Sequence, residues 1–104
     1  MSKIIEYHEL NKENGYKGFS FFFSNGVEAS IEFGNGEQCC KCQTCLDKSY
    51  TVAKNAEIAA FKDGSFITHK IIPDMVQFDE CCCGYVKPED IVDFLQKCRD
   101  YKGD

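Results

Sequence analysis

Seven of the eight cysteines in this 104-residue chain fall in two clusters: Cys39, Cys40, Cys42 and Cys45, then Cys81, Cys82 and Cys83. Clustered thiols in a reducing compartment more often hold a metal than form disulfides. Cys39 and Cys42, and again Cys42 and Cys45, stand at the Cys-x2-Cys spacing of a chelating knuckle. A tetrahedral zinc site commonly takes two ligands from such a knuckle and two from a second segment. On a strand, Cys81 and Cys83 would share one face and Cys82 the other. One quartet is therefore Cys42, Cys45, Cys81 and Cys83, with Cys39, Cys40 and Cys82 as substitutes. A four-thiolate site leaves no open coordination position, so zinc here is expected to be structural. An iron–sulfur cluster is the alternative cofactor. Cys39, Cys42 and Cys45 match the three-cysteine part of a ferredoxin-like run, but the fourth near cysteine and its following proline are missing. The plainest alternative is metal-free thiols packed as small hydrophobes, and Cys98 is expected to be one.

Other groups offer less chemistry. His8 and His69 are the only histidines. His69 could complete a zinc site, but a solvent-facing strand position is expected for it. No serine, histidine and acid grouping suggests a triad, and no enzymatic activity is expected. Gly34-Asn35-Gly36 lacks the Gly-Lys-Ser/Thr ending of a phosphate loop and reads as a bend or bulge after a strand.

The composition narrows the class. With 43% apolar and 28% charged residues the chain is globular, and its length suits a single domain spanning 1–104. The net charge is −5 and Arg99 is the sole arginine. The lysines are scattered, so direct nucleic-acid binding is disfavoured. The longest aromatic run is Phe21-Phe22-Phe23, and no apolar run suits a signal peptide or membrane span. A cytoplasmic location in a bacterial host cell is expected.

These groups need a scaffold, and the pattern supplies one. Phe19, Phe21 and Phe23 alternate along one strand; Val27, Ala29, Ile31 and Phe33 alternate along the next. A two-residue Asn-Gly turn would set the Phe row against Glu28 and Glu32. A three-residue loop, Ser24-Asn25-Gly26, pairs Phe23 with Val27, Phe21 with Ala29 and Phe19 with Ile31, giving one wholly apolar face. A one-residue slip exchanges the faces, so the second register is expected. Phe22 then lies on the opposite face. Cover for both faces would come from the helix and second hairpin or from another subunit, as in a homo-oligomer.

A second hairpin is expected from Glu57–Phe61 and Ser65–His69 around Lys62-Asp63-Gly64, with its register left open by apolar residues on both faces. Ile4 to Leu10 and Cys81 to Val86 read as further strands. Pro88 opens a C-terminal helix, with Glu89 and Asp90 at its positive end and Lys97, Arg99 and Lys102 near its last turn. Ile91, Phe94, Leu95, Cys98 and Tyr101 form its apolar face. The expected fold is α+β: a mainly antiparallel sheet built from two hairpins, with an amphipathic C-terminal helix packed on one face.

Three segments carry a resemblance: the strand ending Phe33-Gly34-Asn35-Gly36-Glu37-Gln38-Cys39, then Asn55-Ala56-Glu57-Ile58-Ala59, then Gly84-Tyr85-Val86-Lys87-Pro88-Glu89 entering the helix. Together they resemble a family of small proteins encoded by phages and prophages of Gram-positive bacteria. The resemblance covers roughly the last three quarters of the chain. It implies a mobile-element origin and an accessory role without catalytic residues. Only Cys39 falls on the family pattern; relatives usually carry charged or polar residues near Cys81 to Cys83. The function so implied is a binding module that contacts a host protein or a small ligand. Its most concrete form is counter-defence, by inhibiting a bacterial immunity protein or sequestering a nucleotide signal. The rival is a cysteine-based redox or iron–sulfur electron-transfer protein.

Overall fold

The computed structural model describes residues 2–11, 17–33, 55–75 and 83–103. They form strands β1 (Ile4–Asn11), β2 (Lys17–Phe23), β3 (Val27–Phe33), β4 (Ala56–Lys62), β5 (Ser65–Phe66) and β6 (Cys83–Val86), with helices α1 (Thr68–Ile71) and α2 (Pro88–Asp100). The sheet runs β1-β2-β3-β4-β5, β6 also pairs with β4, and every pairing is antiparallel. The α+β architecture expected from the pattern is the one observed.

The first hairpin takes the three-residue loop. Phe19 pairs with Ile31 and Phe21 with Ala29. Gly26 adopts φ +90°, and its amide donates to the Phe23 carbonyl at 3.0 Å. Glycine suits this left-handed position because it has no Cβ to collide with the carbonyl. The resulting apolar face holds Phe23, Val27, Ala29 and Ile31, and β4 adds Ile58 and Ala60 in register with β3. Helix α2 lies over β3 and β4 and covers this face. Phe94 and Cys98 are fully buried; Ile91, Leu95 and Tyr101 pack at the margin. Pro88 occupies the first helical turn, where its missing N–H costs nothing, followed by Glu89 and Asp90 at the positive end of the dipole.

The second hairpin is shorter than the pattern predicts. Asp63 (φ 53°) and Gly64 (φ 79°) make a two-residue turn that pairs Lys62 with Ser65 and Phe61 with Phe66. Paired left-handed residues match the twist of the flanking strands. The strand then stops. The Ile67 amide still donates to the Ala60 carbonyl at 2.8 Å, but the Ala60 amide donates to the Thr68 hydroxyl oxygen at 2.9 Å. A side chain thus replaces the next backbone partner, and the chain turns into α1. His69 therefore sits on a short helix, half-buried, rather than on a solvent-facing strand. The rest of that β4 edge is taken by β6, which pairs Cys83 with Ile58 and Val86 with Ala56.

The opposite sheet face is mixed. Ser20, Ser30 and Ala59 lie in one buried lane, flanked by Phe22, Glu28 and Phe61 on one side and Glu32 and Glu57 on the other. Among the described residues no helix is long and apolar enough to cross a membrane.

Candidate functional site

Of the seven clustered cysteines, only Cys83 lies within the described residues; Cys39, Cys40, Cys42, Cys45, Cys81 and Cys82 lie outside them, as does Gly34-Asn35-Gly36. Cys83 opens β6 and is buried against the core. Its thiol donates to the Met75 carbonyl oxygen at 2.8 Å. Cys98 projects from α2 into the core, and burial pushes its thiol up to about 12. A thiol held protonated is a poor nucleophile and a poor ligand, so Cys98 packs as a hydrophobe, as its place on the apolar helix face predicts. Among the described residues no group of three or more His, Cys, Asp or Glu side chains is arranged to hold a metal ion.

The histidines lie on other elements, His8 on β1 and His69 on α1. His8 is exposed on the outer face of β1, 2.8 Å from the Glu6 carboxylate and 4.9 Å, centroid to centroid, from the Phe22 ring. Nδ1 of His69 is buried with no hydrogen-bond partner among the described residues.

Two features surround the helix. The first is a clasp at its C-terminal end. The Asn25 side-chain amide donates to the carbonyls of Cys98 (2.9 Å), Tyr101 (3.0 Å) and Arg99 (3.3 Å), while its Oδ1 accepts from the Val27 amide at 3.1 Å. Helix termini leave carbonyls without intrahelical partners, and here a hairpin-turn side chain supplies them. Arg99 Nε donates to the Ser2 carbonyl at 2.9 Å, and the Ser2 hydroxyl returns a bond to the Arg99 carbonyl. Lys62 adds a third tie, with Nζ 3.1 Å from the Gly103 carbonyl and over the Tyr101 ring. A hollow of about 670 Å³ surrounds this clasp between Ser2, Ser24, Arg99 and Lys102.

The second feature is an apolar groove of about 170 Å³ between α2 and the β1/β2 end of the sheet. It lies where α2, packed mainly over β3 and β4, borders the first two strands. Ile4, Phe21 and Phe23 floor it, and Val92 and Leu95 wall it. Val92 is 66% exposed and Ile4 48%. Beside it Tyr7 packs on Phe19 and Phe21, with ring centroids 6.1 and 5.7 Å away, and is itself 55% exposed. An exposed apolar band of this kind marks a contact surface more often than a catalytic one. The helical periodicity indicated Ile91, Phe94 and Leu95 as the buried stripe but left Val92 unassigned. Only the lateral offset of the helix shows that Val92 borders a groove.

No family model, no curated protein and no solved structure matches the chain. The site and fold thus define an α+β protein with an apolar groove beside the β1 edge of its sheet.

Proposed function

We propose that this chain is a small accessory binding protein of phage or prophage origin that acts by contact rather than by catalysis. The observation that supports the reading is the exposed apolar band of Ile4, Tyr7 and Val92 along the groove. Its expected occupant is a host protein, with inhibition of a bacterial immunity protein as the concrete form. An apolar lining suits a protein side chain better than a phosphate-rich nucleotide signal. Arg99, the sole arginine, is already engaged by Ser2. Affinity capture from a Gram-positive host lysate, with wild type beside Val92→Glu, tests the reading. A host protein held by wild type and lost from the variant supports it; equal retention, or none, counts against it.

A structural zinc bound by cysteines is the second part of the proposal. Its support is the spacing of Cys39 to Cys45 and the second cluster at Cys81 to Cys83. The quartet Cys42, Cys45, Cys81 and Cys83 would tie the segment after β3 to the start of β6. To serve as a ligand, Cys83 would lose its proton and with it the bond to Met75. Elemental analysis of untagged protein purified without chelators checks this, with about one zinc per chain expected from such a four-cysteine site. Iron with sulfide would favour the electron-transfer reading instead.

A further inference from the structure

Strand β1 ends the sheet. Among the described residues it pairs only with β2, and residues 4–9 are all exposed. An open edge strand presents unpaired backbone N–H and C=O groups, a template for another strand. This edge carries a carboxylate and an imidazole on one face: Glu6 and His8, hydrogen-bonded at 2.8 Å. We propose that the β1 edges of two copies of this chain pair antiparallel about a two-fold axis through Tyr7, joining the two sheets into one.

The register follows from face and from which side chains can pair. Directly opposed residues of antiparallel strands share a face. A two-fold axis normal to the sheet must therefore pass through a residue. Centred on Glu6, it sets Glu6 against Glu6 of the second copy, and like charges directly opposed are destabilising. Centred on His8, it sets imidazole against imidazole and leaves Glu6 unmatched. Centred on Tyr7, it sets Glu6 of each copy against His8 of the other. The intrachain pair then becomes a closed ring of four alternating groups. On the helix side the same axis brings the two exposed Tyr7 rings together beside the Phe19 and Phe21 cluster of each copy. The irregularity between Ile4 and Glu6 ends the regular run on one side. A strip this short gives a reversible dimer rather than an obligate one. The inference concerns the strand edge rather than the groove; Tyr7 borders both, whereas Val92 borders only the groove.

Sedimentation velocity on the full chain, over a concentration series at low ionic strength, tests it. Wild type is expected to shift from monomer to dimer as concentration rises. His8→Glu places one carboxylate opposite Glu6 of each neighbour and should weaken the dimer roughly thirtyfold, two hydrogen-bonded pairs giving way to two repulsive ones. The exchange Glu6→His with His8→Glu restores a carboxylate opposite an imidazole across the axis and should recover most of the loss. Both positions are exposed, so all variants should fold, which circular dichroism verifies. A wild type that stays monomeric throughout overturns the proposal. So does a dimer indifferent to His8→Glu, or one that the exchange fails to restore.

Discussion

Asn25 offers the sharpest test of how this fold is held. Its side-chain amide has two hydrogens to give and three carbonyls within reach, those of Cys98, Arg99 and Tyr101. Those donors satisfy about two bonds, and Oδ1 accepts a third from Val27. Net hydrogen bonds contribute about 1 kcal/mol each, less where water can substitute. Because the site is part-buried, Asn25→Ala should cost about 2 kcal/mol. Asn25→Asp keeps the acceptor for Val27 and the turn preference of a short polar side chain. It also sets a carboxylate against three carbonyl oxygens at the negative end of the α2 dipole, adding about 0.5–1 kcal/mol of repulsion to the lost donors. The aspartate should therefore cost at least as much as the alanine, about 2–3 kcal/mol, although it is the closer isostere.

The aspartate variant also carries a pH signature. The carbonyls favour the protonated acid, so the folded pKa of the introduced carboxyl should rise above its unfolded value of about 3.9. Between those two values the folded state binds more protons than the unfolded state, and stability falls as pH rises. Relative to wild type, Asn25→Asp should thus recover stability as pH drops from neutral towards about 4. Urea denaturation followed by circular dichroism at several pH values is the assay. An aspartate variant milder than alanine, with a flat pH difference from wild type, would refute the clasp and leave Asn25 as a turn residue only.

Further outcomes are expected at two glycines and at Cys98. A Cβ on Gly18 would stand 2.1 Å from the Ile31 carbonyl oxygen and 2.9 Å from the Glu32 Cα, both backbone atoms. Gly18→Ala should therefore destabilise by about 2–3 kcal/mol through forced separation of β2 and β3. Gly64→Ala meets nothing within 4 Å and suffers only its positive φ, so about 1 kcal/mol is expected, and urea midpoints compare the two. Cys98, with its thiol pushed up to about 12 by burial, should resist alkylation at pH 8 in the native protein and react once urea unfolds it, as peptide mass spectrometry would show. Above pH 9 the unfolded thiol ionises while the folded one keeps its proton, so stability falls with rising pH. Cys98→Ala should remove that part of the slope, read from denaturation midpoints between pH 9 and 11.

Much of the frame was legible in residue order. The β2–β3 register could be read because a one-residue slip would have turned Phe19, Phe21 and Phe23 away from Val27, Ala29 and Ile31. The α2 face was legible because Ile91, Phe94, Leu95 and Cys98 recur at helical spacing. The second hairpin was less so. Ser65 to His69 looks like a strand, yet β4 has one free edge and β6 needs part of it, so the strand gives way to α1 after Phe66. Competition between two segments for one edge leaves no trace in either segment. The metal quartet lies outside the described residues except for Cys83.

By itself, then, the amino-acid sequence determined alternation, turn chemistry and helical periodicity, since these depend on neighbours a few residues apart. Tertiary structure decided the rest. It brought Asn25 to the end of a helix more than seventy residues away. It also set α2 over β3 and β4, leaving β1 and β2 with an exposed groove and, among the described residues, an unpaired outer edge. Those outcomes depend on where one packed layer stops against another, and no local pattern encodes that boundary.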